Sequence, residues 1–587
     1  MDGPRPLAFV SRAESLSRLP AESRVLPIAP EVTVPRRREV ASRPEDLLSP
    51  EDEATIERAA QRAASEWYKD QTRDAFLWRG VDLAECFSAS LTFSIRDLVK
   101  TSLVLERVLD REAPTAVVVD ALPFGEGFRA YPYFDALLPL AVVRARERGL
   151  SCEVLRQDVG KADDESESSL ARAYLRVAAR RALSILRTAR PLVALGPYPE
   201  FYTPVAAAWK GGGEATVAVV TIGQPVRAVP KAHFFVATLD AFGSASEHRE
   251  SEQFLQESVA TLERIGPPTA FGELPPDLWD PLKMELRSRF RRHLADLVAA
   301  GLAFDDGLDR ASHVLLMETA SPLARAFARY ALRRHVPVTV MQHGILAGTL
   351  SYRQTEADRI AAWGPADAAW FRQNLARPVL AEGTGCPRYD ALLDASTRRL
   401  PAAVARIHTA TDVVMFASQP FVQDRARRSP WTRAAALRDV LEATRRVEEF
   451  HLIIKWHPAE HPEPVSASGS ARGRVNAVQR ADTFALLLRS RVVLAISSTV
   501  ALEAMYLGRP VVFLGPSDPE SAFHPTEEGG GLRALSADEL VKHLRALLGD
   551  PSYRKRVVDG QHAFLARSYA PMDGRAAERV ADFLRGR

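Results

Sequence analysis

The chain has 587 residues, 77 of them Lys or Arg and 74 Asp or Glu, for a formal net charge of +3. That length exceeds what one hydrophobic core organises, so two large domains with a cleft between them are expected, and the near balance of charge argues against nucleic acid as the main partner. The apolar share is 46%, with no run near the roughly 18 residues that span a bilayer and no basic-then-apolar signal at the start, so the expected compartment is the cytoplasm, with room for a peripheral station at the inner face of the cytoplasmic membrane.

Residues 1–50, with PRRREV and SRPED, are rich in Pro, Arg and Ser and read as a mobile extension. From 51 to about 110 apolar residues recur at helical spacing, most clearly in ECFSASLTFSIRDLVKTSLVLERVLD, which reads as a helical preamble. TAVVVDALPFGEGF then gives a first strand ending in Asp120, followed by a helix and the strand CEVLRQ. Further strands are expected in PLVALG (191–196), ATVAVVTIG (215–223), HVLLMET (313–319), VPVTVMQHG (336–344) and DRIAAWG, with 224–311 largely helical. Residues 51–400 thus read as preamble plus one doubly wound, Rossmann-like domain with its linker GTGCPRYDALLD. The pattern restarts over 401–568 with DVVMFASQP, HLIIKWHP, RVVLAISS and PVVFLG separated by helices. A last amphipathic segment, GRAAERVADFLRG, falls within 569–587. Cys86, Cys152 and Cys386 form no CxxC and read as core residues.

Ligands of open parallel sheets sit at the carboxyl ends of the strands, so polar residues there are the first to test. The strand RVVLAISS stops at Ser497, Ser498 and Thr499 where a helix begins, which places three hydroxyls beside free amides and the positive end of a helix dipole. This can cradle a phosphate; a plain helix cap is the competing reading. A capping box with Glu503 would put the cap at Val500, which is apolar, so Glu503 has another task, a ribose hydroxyl or a surface salt bridge. HLIIKWHP delivers Lys455 and His457 on one face, with Pro458 fixing the turn. Lysine is scarce in this arginine-rich chain, so a compact ammonium at this place suits a phosphate oxygen. Gln342, His343 and Gly344 end the strand VPVTVMQHG: His343 suits a general base, Gly344 lets the backbone turn close to a ligand, and Glu318, ending the preceding strand, could orient His343 or be the base itself. Asp120 and Glu126 are weaker candidates, and His461 reads as a loop residue. In the linker, Gly383 and Gly385 read as a hinge, and Arg388 could reach a phosphate or pair with Asp390. The chain has no GxxxxGK(S/T), HExxH or Asp-x-Asp, which favours a mechanism without metal or cofactor.

Taken together, Gln342-His343-Gly344, Trp363-Gly364, Gly385-x-Pro387-Arg388-Tyr389-Asp390, Lys455-x-His457-Pro458, Ser497-Ser498-Thr499, Glu503-Ala504 and Gly508-x-Pro510 resemble the bacterial capsule and surface-polysaccharide transferases of the GT-B fold. Relatives of that kind include the sialyl- and Kdo-transferase groups with His-Pro and Ser-Ser motifs and the CDP-glycerol glycerophosphotransferases. The resemblance covers about residues 312–520 well. It implies two Rossmann-type domains facing across a cleft, a last helix crossing back onto the first domain, a donor phosphate held by His457, Ser498 and Thr499 beside Lys455, and His343 at the reacting centre as base or phosphate ligand. The acidic Asp/Glu-Asp/Glu-Gly motif of the sialyltransferases is missing, with only Gly125-Glu126-Gly127 present, which puts sialic acid as donor sugar in doubt.

The expected function is therefore metal-independent glycosyl transfer in surface or capsular polysaccharide synthesis, from a nucleotide-sugar donor to a glycan or lipid-linked acceptor, with association with an assembly complex as a further option. CDP-glycerol-type polyol-phosphate transfer is the first rival. A UDP-sugar 2-epimerase-like enzyme and a non-catalytic nucleotide- or glycan-binding protein are the others.

Overall fold

The computed structural model describes residues 5–10, 13–27, 39–40, 47–72, 74–120, 133–155, 185, 189–195, 199–210, 216–220, 235–269, 278–346, 352–390, 399–419, 433–458, 460, 473–517 and 521–586. Glu126, the Gly125-Glu126-Gly127 triplet and His461 lie outside them.

Short apolar runs at both ends of the first 160 residues make one small parallel sheet. β1 (Leu7–Val10) and β2 (Arg24–Pro27) precede a two-residue hairpin, β3 (Leu77–Trp78) and β4 (Val81–Asp82), and are followed by β5 (Ala116–Asp120) and β6 (Ser151–Val154). The sheet order is β2-β1-β5-β6. This corrects two expectations. The first 50 residues are not wholly an extension, because LAFV is buried along its length by pairing with β5. The strand at 116–120 opens this separate sheet and not the sheet of 192–383; four apolar residues between Pro- and Arg-rich stretches gave too little periodicity to be noticed. The Ser88–Glu112 helix of the preamble packs on this unit.

The first Rossmann unit holds β7 (Leu192–Leu195), β8 (Thr216–Val220), β9 (Phe235–Thr238), β10 (His313–Leu316), β11 (Val338–Met341), β12 (Arg359–Ala362) and β13 (Leu380–Gly383). Their order, β13-β12-β11-β10-β7-β8-β9, reverses between β7 and β10. The second unit holds β14 (Asp412–Ala417), β15 (Phe450–Lys455), β16 (Val475–Val478), β17 (Val492–Ala495), β18 (Val511–Leu514) and β19 (Leu532–Ala534), in the order β16-β15-β14-β17-β18-β19. Both are the doubly wound order in which the crevice opens at the carboxyl ends of the two strands flanking the reversal. For the second unit those are β14 and β17. Central strands covered on both faces must be apolar at every position, which is why VVLA and VVFL carry no alternation.

One hydrophobic core runs through both Rossmann units. Leu315, Met317 and Met341 of the first sheet share it with Val413, Met415, Val493 and Ala495 of the second, joined by Phe201, Tyr202 and Trp209 and by Val580, Phe583 and Leu584. Those last three belong to the Ala576–Arg585 helix, which packs against the Pro199–Lys210 helix of the first unit. Arg585 donates to the Trp209 carbonyl at 3.0 Å and Arg359 to that of Phe583 at 2.5 Å. No helix among the described residues is long and apolar enough to cross a membrane.

Beneath that last helix His313 faces Trp209, ring centroids 6.1 Å apart, and among the described residues neither of its ring nitrogens has a hydrogen-bond partner. Burial, helped by the Arg359 charge, pushes its pKa down to about 4. The unfolded imidazole titrates near 6.5, so the unfolded state takes up the proton first as pH falls, and the stability held by the neutral ring is lost between about pH 6.5 and 4. His313→Leu should flatten the denaturant midpoint across that window, with a difference of at most about 3 kcal/mol at its acid end. A midpoint whose pH slope is the same in both proteins would show that His313 titrates normally.

Candidate active site

The tips of the two sheets meet. A Cβ placed on Gly344, just beyond β11, would lie 3.8 Å from the Thr499 hydroxyl at the head of the Thr499–Tyr506 helix. Two residues on, the Leu346 carbonyl accepts hydrogen bonds from Ala522 N at 2.8 Å and Ser521 Oγ at 3.2 Å, both in the segment after β18. The first unit's Gln-His-Gly tip and the second unit's Ser-Ser-Thr tip therefore lie beside one another. Gly344 itself has no left-handed φ and its Cβ would meet only ordinary contacts, so the backbone here takes no conformation reserved to glycine. What counts at this position is proximity.

His343 is set by the backbone. Its Nδ1 lies 2.8 Å from the Met317 carbonyl at the end of β10. A carbonyl only accepts, so Nδ1 carries the proton and Nε2 is the basic nitrogen. Burial lowers the pKa of the ring, while the Met317 bond and the charge of Glu318 act in the opposite sense. The imidazole is therefore neutral at pH 7. Glu318 has a different post from the one expected: its Oε2 accepts from the amides of Ala320 and Ser321, the latter at 2.7 Å, and its Oε1 from Ser321 Oγ at 2.5 Å. It braces the start of the Pro322–Arg333 helix and acts on His343 through its charge. Gln342 is the keystone behind them. Its Nε2 donates to the Gly344 carbonyl at 2.9 Å and to Asp367 at 2.7 Å, and its Oε1 accepts from Trp363 N at 2.9 Å. Burial pushes the Asp367 carboxyl up to about 7.

On the second unit Ser498 is the cap of the Thr499–Tyr506 helix, its Oγ accepting from Val500 N at 3.2 Å. The Ser497 amide donates to Gln419 Oε1 at 3.2 Å, across the crevice between β17 and β14. His457 stands exposed at the end of β15, two strands from β17 and so roughly 10 Å away along the same sheet edge. The protein around it and the Lys455 ammonium hold its pKa below the usual histidine value. Pro458 is exposed beside it, and its carbonyl accepts from Gln479 Nε2 at 3.4 Å.

Lys455 and Glu503 depart from the sequence reading. Lys455 is only 7% exposed, and its Nζ donates to the Trp456 carbonyl at 3.0 Å. Burial lowers its pKa against the opposing charges of Glu460 and Glu503, so its ammonium is turned inward, toward those carboxylates. Glu503 is 1% exposed and pairs with Arg388 at 3.2 Å, which withdraws it from a ribose and from any surface bridge. Arg388 also lies over Phe201 of the first unit and Phe484 of the second. It does not take Asp390, whose carboxylate accepts from Ala576 N at 3.1 Å and Ala577 N at 2.9 Å, holding the head of the last helix. The linker is closely packed on its neighbours. A Cβ on Gly383 would be 2.7 Å from the Gly364 backbone, and Gly385, at φ +89°, sits against Ala576.

Sequence reading missed Gln419, Ser418, Glu460 and Gln479. Ser418 and Gln419 carry the signal that would have found them, since they end the strand beside the reversal point. Among the described residues no three His, Cys, Asp or Glu side chains are grouped as a metal would need.

Residues 376–586 match the family model described as CDP-glycerol:poly(glycerophosphate) glycerophosphotransferase, so the resemblance drawn from the motifs holds over the stretch that carries Lys455, His457 and Ser498. No curated protein matches the chain. Among solved structures the chain is similar to UDP-GlcNAc 2-epimerase from Neisseria meningitidis bound to UDP-GlcNAc (15% identity, 68% of this chain and 100% of that one, TM-score 0.44). It is also similar to the S. aureus MnaA–UDP co-structure (14%, 68% and 96%, 0.42) and to a variant of the wall teichoic acid polymerase TagF with CDPG (13%, 71% and 96%, 0.39).

Proposed function

We propose that the chain is a transferase that moves a polyol-phosphate unit from a CDP-activated donor to the hydroxyl of a glycan or lipid-linked acceptor in the making of a cell-surface polymer. The match of residues 376–586 to the glycerophosphotransferase family carries this reading, because that stretch includes the whole donor sheet and its polar edge. The acceptor enters from the first unit. His343 Nε2 takes the proton from the acceptor oxygen, which attacks the phosphorus bearing the polyol. The bond from that phosphorus to the bridging oxygen breaks, and CMP leaves. The charge on the departing phosphate is met by the amides at the head of the Thr499–Tyr506 helix, the Ser497 and Thr499 hydroxyls and His457. The juxtaposition of Gly344 and Thr499 supports this by bringing base and phosphate pole into one cleft. Neither metal nor cofactor has a part in the proposal, so turnover should survive a chelator.

The test is a panel of labelled CDP-polyols, CMP-sugars and UDP-sugars with acceptor. CMP release with a product that resists conditions cleaving glycosides is the expected outcome. Transfer from a sugar nucleotide would instead return the reading to glycosyl transfer, and conversion of a UDP-sugar without acceptor would make the chain an epimerase. His457→Ala should lower turnover by at least about 10²-fold with the fold intact, as loss of a charge-stabilising group does. Wild-type turnover in that variant would sink the assignment of the donor pole.

A further inference from the structure

Side-chain hydrogen bonds link the carboxyl ends of four neighbouring strands, β16, β15, β14 and β17, and Glu460 is at their centre. Its Oε2 accepts the His457 amide at 2.6 Å, and its Oε1 accepts Ser418 Oγ at 2.8 Å. On the outer side Gln479, one residue past β16, donates to the carbonyls of His457 at 3.0 Å and Glu460 at 2.7 Å. On the inner side Gln419, the neighbour of Ser418, accepts the Ser497 amide. The result is a polar rail along the edge where the donor would lie.

Glu460 is 4% exposed, and Lys455 is close enough for their charges to act on each other. A carboxylate this deep is costly unless several donors and a countercharge meet it. The turn itself does not require it, since Glu460 N already closes on the His457 carbonyl at 3.0 Å and Gln479 clasps the same turn. What the carboxylate adds is two acceptor oxygens that hold a β15 group and a β14 group at once. A glutamine in its place can still accept the His457 amide and can donate to Ser418 Oγ, whose hydroxyl turns to accept, so it keeps the contacts but removes the charge that strengthens both.

We propose that Glu460 is the positioning residue of the donor pole, fixing His457 and the Ser418–Gln419 backbone relative to one another so that both meet the donor's diphosphate. This rests on the reading under Proposed function. The experiment compares wild type, Glu460→Gln and Ser418→Ala in steady-state transfer from a CDP-polyol, with calorimetric titration of CDP alone and a thermal melt. In Glu460→Gln the donor KM and the CDP Kd should both rise about 10- to 100-fold, as two charge-assisted hydrogen bonds become neutral ones. Its acceptor KM should stay within about 3-fold of wild type, because the acceptor side of the first unit is untouched. Ser418→Ala, which removes one bond and keeps the charge, should raise donor KM less, by about 3- to 10-fold. Donor KM unchanged in Ser418→Ala, or in a folded Glu460→Gln, overturns the proposal, as do equal losses in donor and acceptor parameters. A wild-type chain that binds no CDP overturns the functional reading together with it, whereas wild-type binding matched by both variants overturns the positioning role alone.

Discussion

Replacing His343 by glutamine should lower kcat by about 10²- to 10⁴-fold while leaving the melting temperature and donor affinity near wild type. The Met317 carbonyl selects the tautomer whose base is Nε2, and burial depresses the pKa of the ring, so the competent neutral form dominates at pH 7. The sign of the pH dependence follows. A base must be unprotonated, so activity is lost only as pH falls through the depressed pKa, and the acid limb of kcat/KM in wild type should lie below 6.5. Glu318→Gln should move that limb lower still, since the Glu318 charge favours the protonated ring. Stopped assays from pH 5 to 9 measure both, and a His343→Gln enzyme within 3-fold of wild-type kcat would remove His343 from the chemistry.

The largest effect on stability is expected from Arg388→Leu. Glu503, 1% exposed, then loses the guanidinium it pairs with, while that guanidinium also leaves the Phe201 and Phe484 faces it bridges. Removing one partner of a buried pair costs about 3–5 kcal/mol; because Arg388 is itself part-exposed, the lower end applies. For a unit of this size that is a fall of roughly 6–12 °C in melting temperature. The double variant Arg388→Leu, Glu503→Gln should recover much of the loss, because no unpaired charge is then left inside. A double variant no better than the single one would mean that aromatic stacking, and not the charge, is what Arg388 contributes.

Much of the second Rossmann unit was legible because its central strands are continuous apolar runs that end abruptly in Lys-x-His-Pro or Ser-Ser-Thr. Its edge strands were not, since VNAV and LRA are short and partly exposed and so leave little pattern. In the first unit β13 failed the same way, reading as linker because Gly383 ends it. The sites show a different limit. Sequence placed His343, His457 and Ser498 at strand tips, which the backbone dictates. It could not say whether Lys455, Glu503 and Arg388 turn toward the cleft or into the protein, because that depends on partners tens of residues away. Glu460 was passed over for the same reason: in the sequence it is one more loop carboxylate, and only Ser418, brought alongside by the β14–β15 pairing, shows what it holds.

The helix that closes the underside of the first Rossmann unit is made long after the unit it covers. About 195 residues separate Asp390, where that unit ends, from Arg585. At translation rates of roughly 5–20 residues per second the face that will receive Val580, Phe583 and Leu584 stays wet for about 10–40 s on the ribosome. A stop codon between the second unit and Val580 would therefore leave an apolar face of the first unit uncovered, although every residue of that unit is present.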